Sequence, residues 1–157
     1  RLPGVRFYII GDKAPPSVVA LASEDIVVTG LLPDVGPYFE SVKLSVAPLR
    51  FGAGVKGKIN QSQGLGVPVV ATSLAAEGMD LVDHEDIVLA NEPEEFARAL
   101  IDLYQSEPLW TKLSAHGLEK TRARYSCEAV TEKLSLLMAG DHFRAPVLLA
   151  HDLCSSL

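Results

Sequence analysis

Residues 48–72 read PLRFGAGVKGKINQSQGLGVPVVAT, and this stretch decides the fold. A strand-like run over residues 44–49 enters a glycine-rich turn, and the turn leads into a short helix and a second strand over residues 67–72. Glycine lets a backbone approach a ligand closely, and the first N–H groups of a helix are free to bind an anion. The stretch therefore predicts a phosphate cradle between two strands of an α/β protein.

Part of this turn matches a nucleotide-binding P-loop. Residues 52–58 spell GxxxxGK, which is most of a Walker A sequence. That loop requires serine or threonine after the lysine, because its hydroxyl holds magnesium. Ile59 stands at that place, after Lys58, so the sequence argues against a P-loop.

The same glycines also match the dinucleotide fingerprint. Gly52, Gly54 and Gly57 spell GxGxxG. That site requires an acidic residue at the end of the next strand to bind the ribose hydroxyls. Residues 70–73 supply none, and the first acid is Glu77. A dinucleotide-binding oxidoreductase domain therefore stays open only as a weaker alternative.

Composition and charge narrow the class of protein. The chain has 157 residues, 48% hydrophobic and 22% charged, which suits one soluble domain with a core. A net charge of −6 argues against nucleic-acid binding, which needs a basic surface. Arg50, Lys56 and Lys58 nevertheless form a local basic cluster around the turn, so we expect this turn to bind an anion.

Location and metal content follow from what the sequence lacks. No apolar run is long enough to span a membrane, and no signal peptide is recognisable. Cys127 and Cys154 fit no metal or redox spacing, and the histidines show no ligand spacing. We therefore expect a cytoplasmic protein with reduced thiols and without a metal or other cofactor.

Apolar runs and helical periods alternate along the chain. They predict a doubly wound, mostly parallel α/β sheet followed by C-terminal helices. One domain would cover residues 1–138, with a tail of unknown role over residues 139–157. We expect strands at 5–10, 26–29, 44–49, 67–72 and 87–90, and helices at 15–22, 35–41, 56–63, 93–105, 108–124 and 126–138.

Taken together, these segments have the order of a known family. The turn and its two strands, and the framing segments around them, resemble the C-terminal, nucleotide-sugar-binding domain of GT-B glycosyltransferases, in the group 1 or family 4-like set. The resemblance covers roughly residues 3–138. Its segments are 3–11, 28–35, 47–59, 66–72, 76–78 and 124–126.

The resemblance implies a mechanism and partners. Two Rossmann-like domains would face each other, and the N-terminal one, with most of the acceptor site, is absent from this chain. A fragment of this kind would bind a nucleotide-sugar without transferring its sugar, and peripheral membrane association would depend on the rest of the protein. No metal is implied, and catalytic residues stay unassigned. The nucleotide-sugar residues implied are Arg50, Gly52, Gly54, Val55, Lys56, Gly57, Lys58, Gln61 and Glu77.

Two of these residues leave alternatives open. Gln61 stands where the family has a glutamate that holds both ribose hydroxyls, and a neutral amide forms weaker hydrogen bonds than a carboxylate. The donor site is therefore either functional or decayed into a binding or scaffold domain. Glu77 either contacts the donor sugar or caps the next turn. The acidic run at residues 83–86 is expected to be a solvated loop.

Overall fold

The computed structural model describes residues 2–139, which form five strands and seven helices. The strands are β1 (Phe7–Ile10), β2 (Ile26–Gly30), β3 (Ser45–Ala47), β4 (Val69–Ala71) and β5 (Val88–Leu89). The helices are α1 (Pro16–Val19), α2 (Gly36–Ser41), α3 (Gly57–Gly64), α4 (Ser73–Ala76), α5 (Pro93–Gln105), α6 (Glu107–Tyr125) and α7 (Cys127–Ala139).

All strand pairs are parallel, as the sequence predicted. They form two separate hydrogen-bonded ladders, one of β1 with β2 and one in the order β3-β4-β5. In the described part of the chain, the single sheet expected from the sequence is thus two sheets, and no hydrogen-bonded pairing joins β1 to β3. The prediction of a parallel α/β architecture is confirmed, and the continuity of its sheet is not.

The second ladder holds the core, and its two faces follow the alternation of a strand. Val69 and Ala71 pack on one face with Ile59 of α3, while Val70 packs on the other face with Leu103 of α5. Successive side chains of a strand point to opposite faces, so an all-apolar strand needs cover on both sides. Helices on both faces of this ladder give the doubly wound arrangement.

The first ladder is far less covered. Its strands are as apolar as β4, yet none of their residues is buried. Phe7 keeps 42% of its surface exposed and Ile10 keeps 36%. Within residues 2–139, one ladder is therefore well packed and the strands of the other are only partly buried.

Local sequence explains where the helices start. Ser106 caps α6 by accepting a hydrogen bond from Leu109 N at 3.4 Å, and Ser126 caps α7 by accepting one from Ala129 N at 3.2 Å. Asp34 accepts a hydrogen bond from Gly36 N at 2.8 Å, although the N-cap of α2 is Val35. Asp34 thus satisfies the first amide of α2 from one position before the N-cap.

The C-terminal end of the domain differs in two respects from what the sequence predicted. Helix α7 extends to Ala139, and the predicted tail otherwise lies outside the described residues. Cys127, expected as a reduced thiol, is disulfide-bonded in the structure. Sequence spacing failed here because it does not limit which thiols meet in a fold.

No helix of the described segment is long and apolar enough to cross a membrane.

Candidate functional site

The candidate site lies where strands β3, β4 and β5 end. Thr72 follows β4, and its Oγ1 donates a hydrogen bond of 2.7 Å to the carbonyl of Leu49, which follows β3. The same hydroxyl caps α4 by accepting a hydrogen bond from Ala75 N at 3.2 Å. One buried side chain therefore joins the end of β3, the end of β4 and the start of α4.

Asn91 makes a second connection along this edge, from the end of β5. Its Oδ1 accepts a hydrogen bond from Ser73 N at 2.9 Å, and its Nδ2 donates one to Ser73 Oγ at 3.1 Å. Thr72 and Asn91 hold the three strand ends together, and the sequence analysis singled out neither. An N-cap threonine before a four-residue helix gives too short a signal to be recognised.

The glycine-rich turn leaves β3 at this edge. Gly52 has φ +128° and Gly54 has φ +76°, which are conformations that other residues adopt only with strain. Lys56 folds back over the turn, and its Nζ donates a hydrogen bond of 2.6 Å to the Gly54 carbonyl. The turn therefore depends on glycine at two positions and is closed by its own lysine.

Helix α3 begins directly after the turn with its first amides uncapped. Its N-cap is Lys56, whose side chain makes no capping hydrogen bond. The N–H of Ile59 bonds the Lys56 carbonyl at 2.9 Å, and helix geometry gives Gly57 and Lys58 no partner one turn earlier. These two amides, with the positive end of the helix dipole, can bind an anion.

Buried polar contacts fix the position of α3. Ile59 is fully buried beneath its first turn. Gln63 is 1% exposed, donates a hydrogen bond of 2.8 Å from Nε2 to the Asp86 carbonyl and accepts one of 3.4 Å from Thr121 Oγ1. Its amide lies against Gly117 of α6, where an added Cβ would come within 3.1 Å of Gln63 Cγ. The polar end of this helix is therefore a structural anchor.

The predicted binding side chains lie on an open surface. Arg50, Lys58 and Gln61 are exposed, Lys56 is half-buried, and Val55 keeps 51% of its surface exposed. The lysines, the glycines and Gln61 are neighbours along the turn and the first two turns of α3. The uncapped helix end therefore carries exposed or half-buried basic side chains.

Three more residues lie on the turn, on α3 or at the end of α4. Phe51, in the turn, is 85% exposed. Asn60, on α3, has a buried Oδ1 without a hydrogen-bond partner within residues 2–139. Glu77 is exposed and ends α4, with its N–H bonded to the Leu74 carbonyl at 3.4 Å. Because α4 follows β4, Glu77 belongs to the same edge of the sheet as the turn.

The acidic run at residues 83–86 is only partly the solvated loop that the sequence predicted. Asp86 is 7% exposed, pairs with Lys120 Nζ at 2.6 Å and accepts a hydrogen bond from Val82 N at 2.9 Å. The prediction was wrong for this residue because a charge pattern does not reveal a cation 34 positions later. No group of three possible metal ligands occurs between residues 2 and 139.

Comparison with known proteins gives a family and a relative. Residues 1–106 match the family model described as "Glycosyl transferases group 1". Lipopolysaccharide core biosynthesis glycosyltransferase LpsE of Rhizobium meliloti is 26% identical over 147 residues. That alignment covers 88% of this chain and 43% of the relative, so the chain spans less than half of the protein that it matches.

Solved structures share the fold. Sucrose-phosphate synthase of Thermosynechococcus elongatus aligns with 87% of this chain and 38% of its own, at TM-score 0.75 and 16% identity. HepE of Anabaena in complex with UDP aligns with 87% of this chain and 41% of its own, at TM-score 0.75 and 14% identity. The C-terminal domain of the Francisella tularensis group 1 protein LpcC aligns with 69% and 58%, at TM-score 0.60 and 18% identity.

Proposed function

Since this chain belongs to the glycosyl transferases group 1 family, we propose that it is the donor-binding domain of a glycosyltransferase that moves a sugar, most simply a hexose, from a nucleotide-sugar to an acceptor. One observation carries the proposal. The uncapped start of α3 directly follows a turn with two positive-φ glycines, and Arg50, Lys56 and Lys58 lie before and at this start in the chain. Amides and cations placed in this way suit the diphosphate of such a donor.

The chemistry of sugar transfer gives this arrangement a role. When the bond from the sugar to the diphosphate breaks, negative charge grows on the departing diphosphate. Donors of hydrogen bonds that are already in place stabilise this charge without reorganisation. We propose that the amides of Gly57 and Lys58 and the ammonium groups of Lys56 and Lys58 do so, and that no metal takes part. Affinity unchanged by EDTA is the expected result.

Calorimetric titration with UDP and UDP-glucose tests the proposal, because HepE has been solved with both. GDP and GDP-sugars follow as the second set. Lys58→Ala should weaken nucleotide binding roughly tenfold, about 1.4 kcal/mol, as expected for a charged hydrogen bond on an exposed face. Lys112→Ala removes the same charge from the exposed surface of α6 and should leave the affinity unchanged. Equal losses of nucleotide affinity in the two variants, or no nucleotide binding by the unmodified chain, would contradict the proposal.

The substitution Gln61→Glu distinguishes an intact donor site from a decayed one. A carboxylate accepts hydrogen bonds from ribose hydroxyls more strongly than an amide oxygen does. In an intact site, Gln61→Glu should tighten UDP binding and leave the affinity for pyrophosphate unchanged, because only UDP carries the ribose. If neither wild type nor Gln61→Glu binds UDP, the scaffold alternative is favoured. Tight NAD binding would instead support the oxidoreductase alternative.

The whole protein would need a second domain. We propose that an N-terminal Rossmann-like domain supplies most of the acceptor site, so that this chain binds donor without turnover. The chain covers 43% of the LpsE relative, which supports this division. Transferase activity from these 157 residues alone would contradict it. We also propose a cytoplasmic location, which fractionation of cells tests; thiol titration of the purified cytoplasmic protein would then follow the state of Cys127.

A further inference from the structure

Two neighbouring hydroxyl groups at the carboxyl edge of the sheet are bonded in different ways. Thr72 Oγ1 donates its proton to the Leu49 carbonyl at 2.7 Å. Ser73 Oγ accepts a hydrogen bond from Asn91 Nδ2 at 3.1 Å, and it donates none to any group in the described part of the chain. The proton of Thr72 is therefore committed to the fold, whereas the proton of Ser73 has no acceptor there.

The direction of the hydrogen bond between Asn91 and Ser73 follows from the backbone. The N–H of Ser73 can only donate, so the side-chain atom of Asn91 that it meets at 2.9 Å must be the oxygen Oδ1. The other end of the amide is then the NH₂ group, which also can only donate. Ser73 Oγ is thus the acceptor, and its hydrogen has to point away from Asn91. Asn91 therefore fixes the polarity of this hydroxyl as well as its place.

The serine hydroxyl lies beside the glycine-rich turn. Arg50 and Ser73 each directly follow one member of the hydrogen-bonded pair Leu49 and Thr72, so the turn and the hydroxyl leave the sheet next to each other. Both Arg50 and Ser73 are exposed. Ligands of parallel α/β sheets bind outside the carboxyl ends of the strands. A ligand that extends from the turn over the end of β4 therefore meets this hydroxyl.

The backbone amides at the start of α4 do not offer the same opportunity. The N–H of Ser73 bonds Asn91 Oδ1 at 2.9 Å, and the N–H of Ala75 bonds the hydroxyl and the carbonyl of Thr72 at 3.2 Å and 2.9 Å. Helix α4 has four residues, and so few aligned peptide units add little dipole. The hydroxyl of Ser73, and not the helix terminus, is the group that remains to bind a ligand.

We propose that Ser73 donates a hydrogen bond to an acceptor oxygen of the bound nucleotide-sugar, and that Asn91 is the positioning residue that keeps the serine proton available for it. This inference rests on the proposed function. The acceptor oxygen belongs to the nucleoside diphosphate or to the sugar. The structural alternative is that Asn91 and Ser73 only join the end of β5 to α4. Removal of the hydroxyl would then change stability and leave ligand affinity unchanged.

Calorimetric titration of the 157-residue chain with UDP and UDP-glucose tests the contact. Ser73→Ala should weaken binding about fivefold, as expected for one neutral hydrogen bond. Ser73→Thr keeps the hydroxyl and should keep the wild-type affinity. Ser135→Ala removes an exposed hydroxyl from α7 and should leave the affinity unchanged. An equal loss with both ligands assigns the acceptor to the nucleoside diphosphate, and a loss confined to UDP-glucose assigns it to the sugar.

Asn91→Asp tests the positioning role. A carboxylate keeps an acceptor for the Ser73 N–H but has no N–H of its own, so Ser73 Oγ should turn its proton toward this carboxylate. The affinity of this variant should fall both because of the added negative charge and because the donor is lost. In the Ser73→Ala background only the charge effect remains, so the double-mutant cycle should show a coupling of about fivefold.

Three outcomes would overturn the inference. Unchanged affinity of Ser73→Ala, alongside weakened binding by Lys58→Ala, would leave the proposed function standing and refute this contact alone. Additive losses in the cycle would show that Asn91 does not act through the serine proton. If the wild-type chain binds neither these ligands nor their GDP counterparts, the proposed function and this inference fail together.

Discussion

Replacing Thr72 by valine should destabilise the domain through one identifiable hydrogen bond. Valine keeps the shape of threonine and loses Oγ1, which donates to the Leu49 carbonyl at 2.7 Å. Ala75 N keeps a backbone partner, because it also bonds the Thr72 carbonyl at 2.9 Å. The loss is therefore one hydrogen bond and the unsatisfied Leu49 carbonyl, about 1 to 2 kcal/mol. A second and smaller contribution to the loss of stability comes from the weakened N-cap of α4.

Urea unfolding of three variants measures this effect. Thr72→Val should lower the free energy of unfolding by about 1 to 2 kcal/mol. Thr72→Ser keeps the hydroxyl and should recover most of the loss. Thr131→Val makes the same atomic change on the exposed surface of α7 and should stay within about 0.5 kcal/mol of wild type. The reasoning is refuted if Thr72→Val is as mild as Thr131→Val, or if Thr72→Ser is as damaging as Thr72→Val.

Three further predictions concern the turn, the anchor of α3 and the start of α7. Gly52→Ala should destabilise the chain by about 1 to 3 kcal/mol, because φ +128° is a glycine conformation. Gly57→Ala, inside the helix and facing open space, should be neutral or stabilise by up to about 1 kcal/mol. Equal effects of the two variants in thermal unfolding would contradict this. Gln63→Leu leaves a buried backbone carbonyl unpaired and should cost about 1 to 3 kcal/mol, against less than about 0.5 kcal/mol for the exposed Gln61→Leu; urea titration of both variants decides. The backbone N–H of Glu128 and then the Ser126 hydroxyl lower the pKa of the Glu128 carboxyl below 4.5. A lowered folded-state pKa stabilises above the unfolded value and stops doing so as pH falls through the folded one, so the stability advantage of wild type over Glu128→Gln should shrink below about pH 4.5, and an advantage independent of pH would count against that hydrogen bonding.

The helices were the part of the fold that the sequence determined best. The prediction of residues 93–105 coincides with α5, because a proline and two glutamates start it and a clear helical period runs through it. Strands were predicted too long. The apolar run at 67–72 contains Pro68, which has no N–H for a ladder, and β4 itself begins only at Val69.

The candidate site was predictable only where the chemistry is local. The glycines and lysines of residues 52–58 are neighbours in sequence, so their meeting followed from the turn itself. Thr72 and Leu49 are 23 positions apart, and Gln63 meets the Asp86 carbonyl across the same separation. Such contacts depend on how strands and helices pack, which periodicity does not encode. For the same reason, the sequence did not reveal that Gln63, at the polar end of α3, is a packed anchor.

The hydrogen bond from Lys56 Nζ to the Gly54 carbonyl affects the rate at which a ligand binds and the conformational entropy that its binding costs. A glycine-rich loop that fluctuates freely must lose conformational entropy when it closes on a ligand, and that loss weakens binding. Here the lysine has already restricted the loop while the chain folds. An ammonium group has three donors, so it can keep the carbonyl and still offer two hydrogen bonds to an incoming oxygen. Uptake would then need little rearrangement of this loop, and its rate would be governed by diffusion and charge.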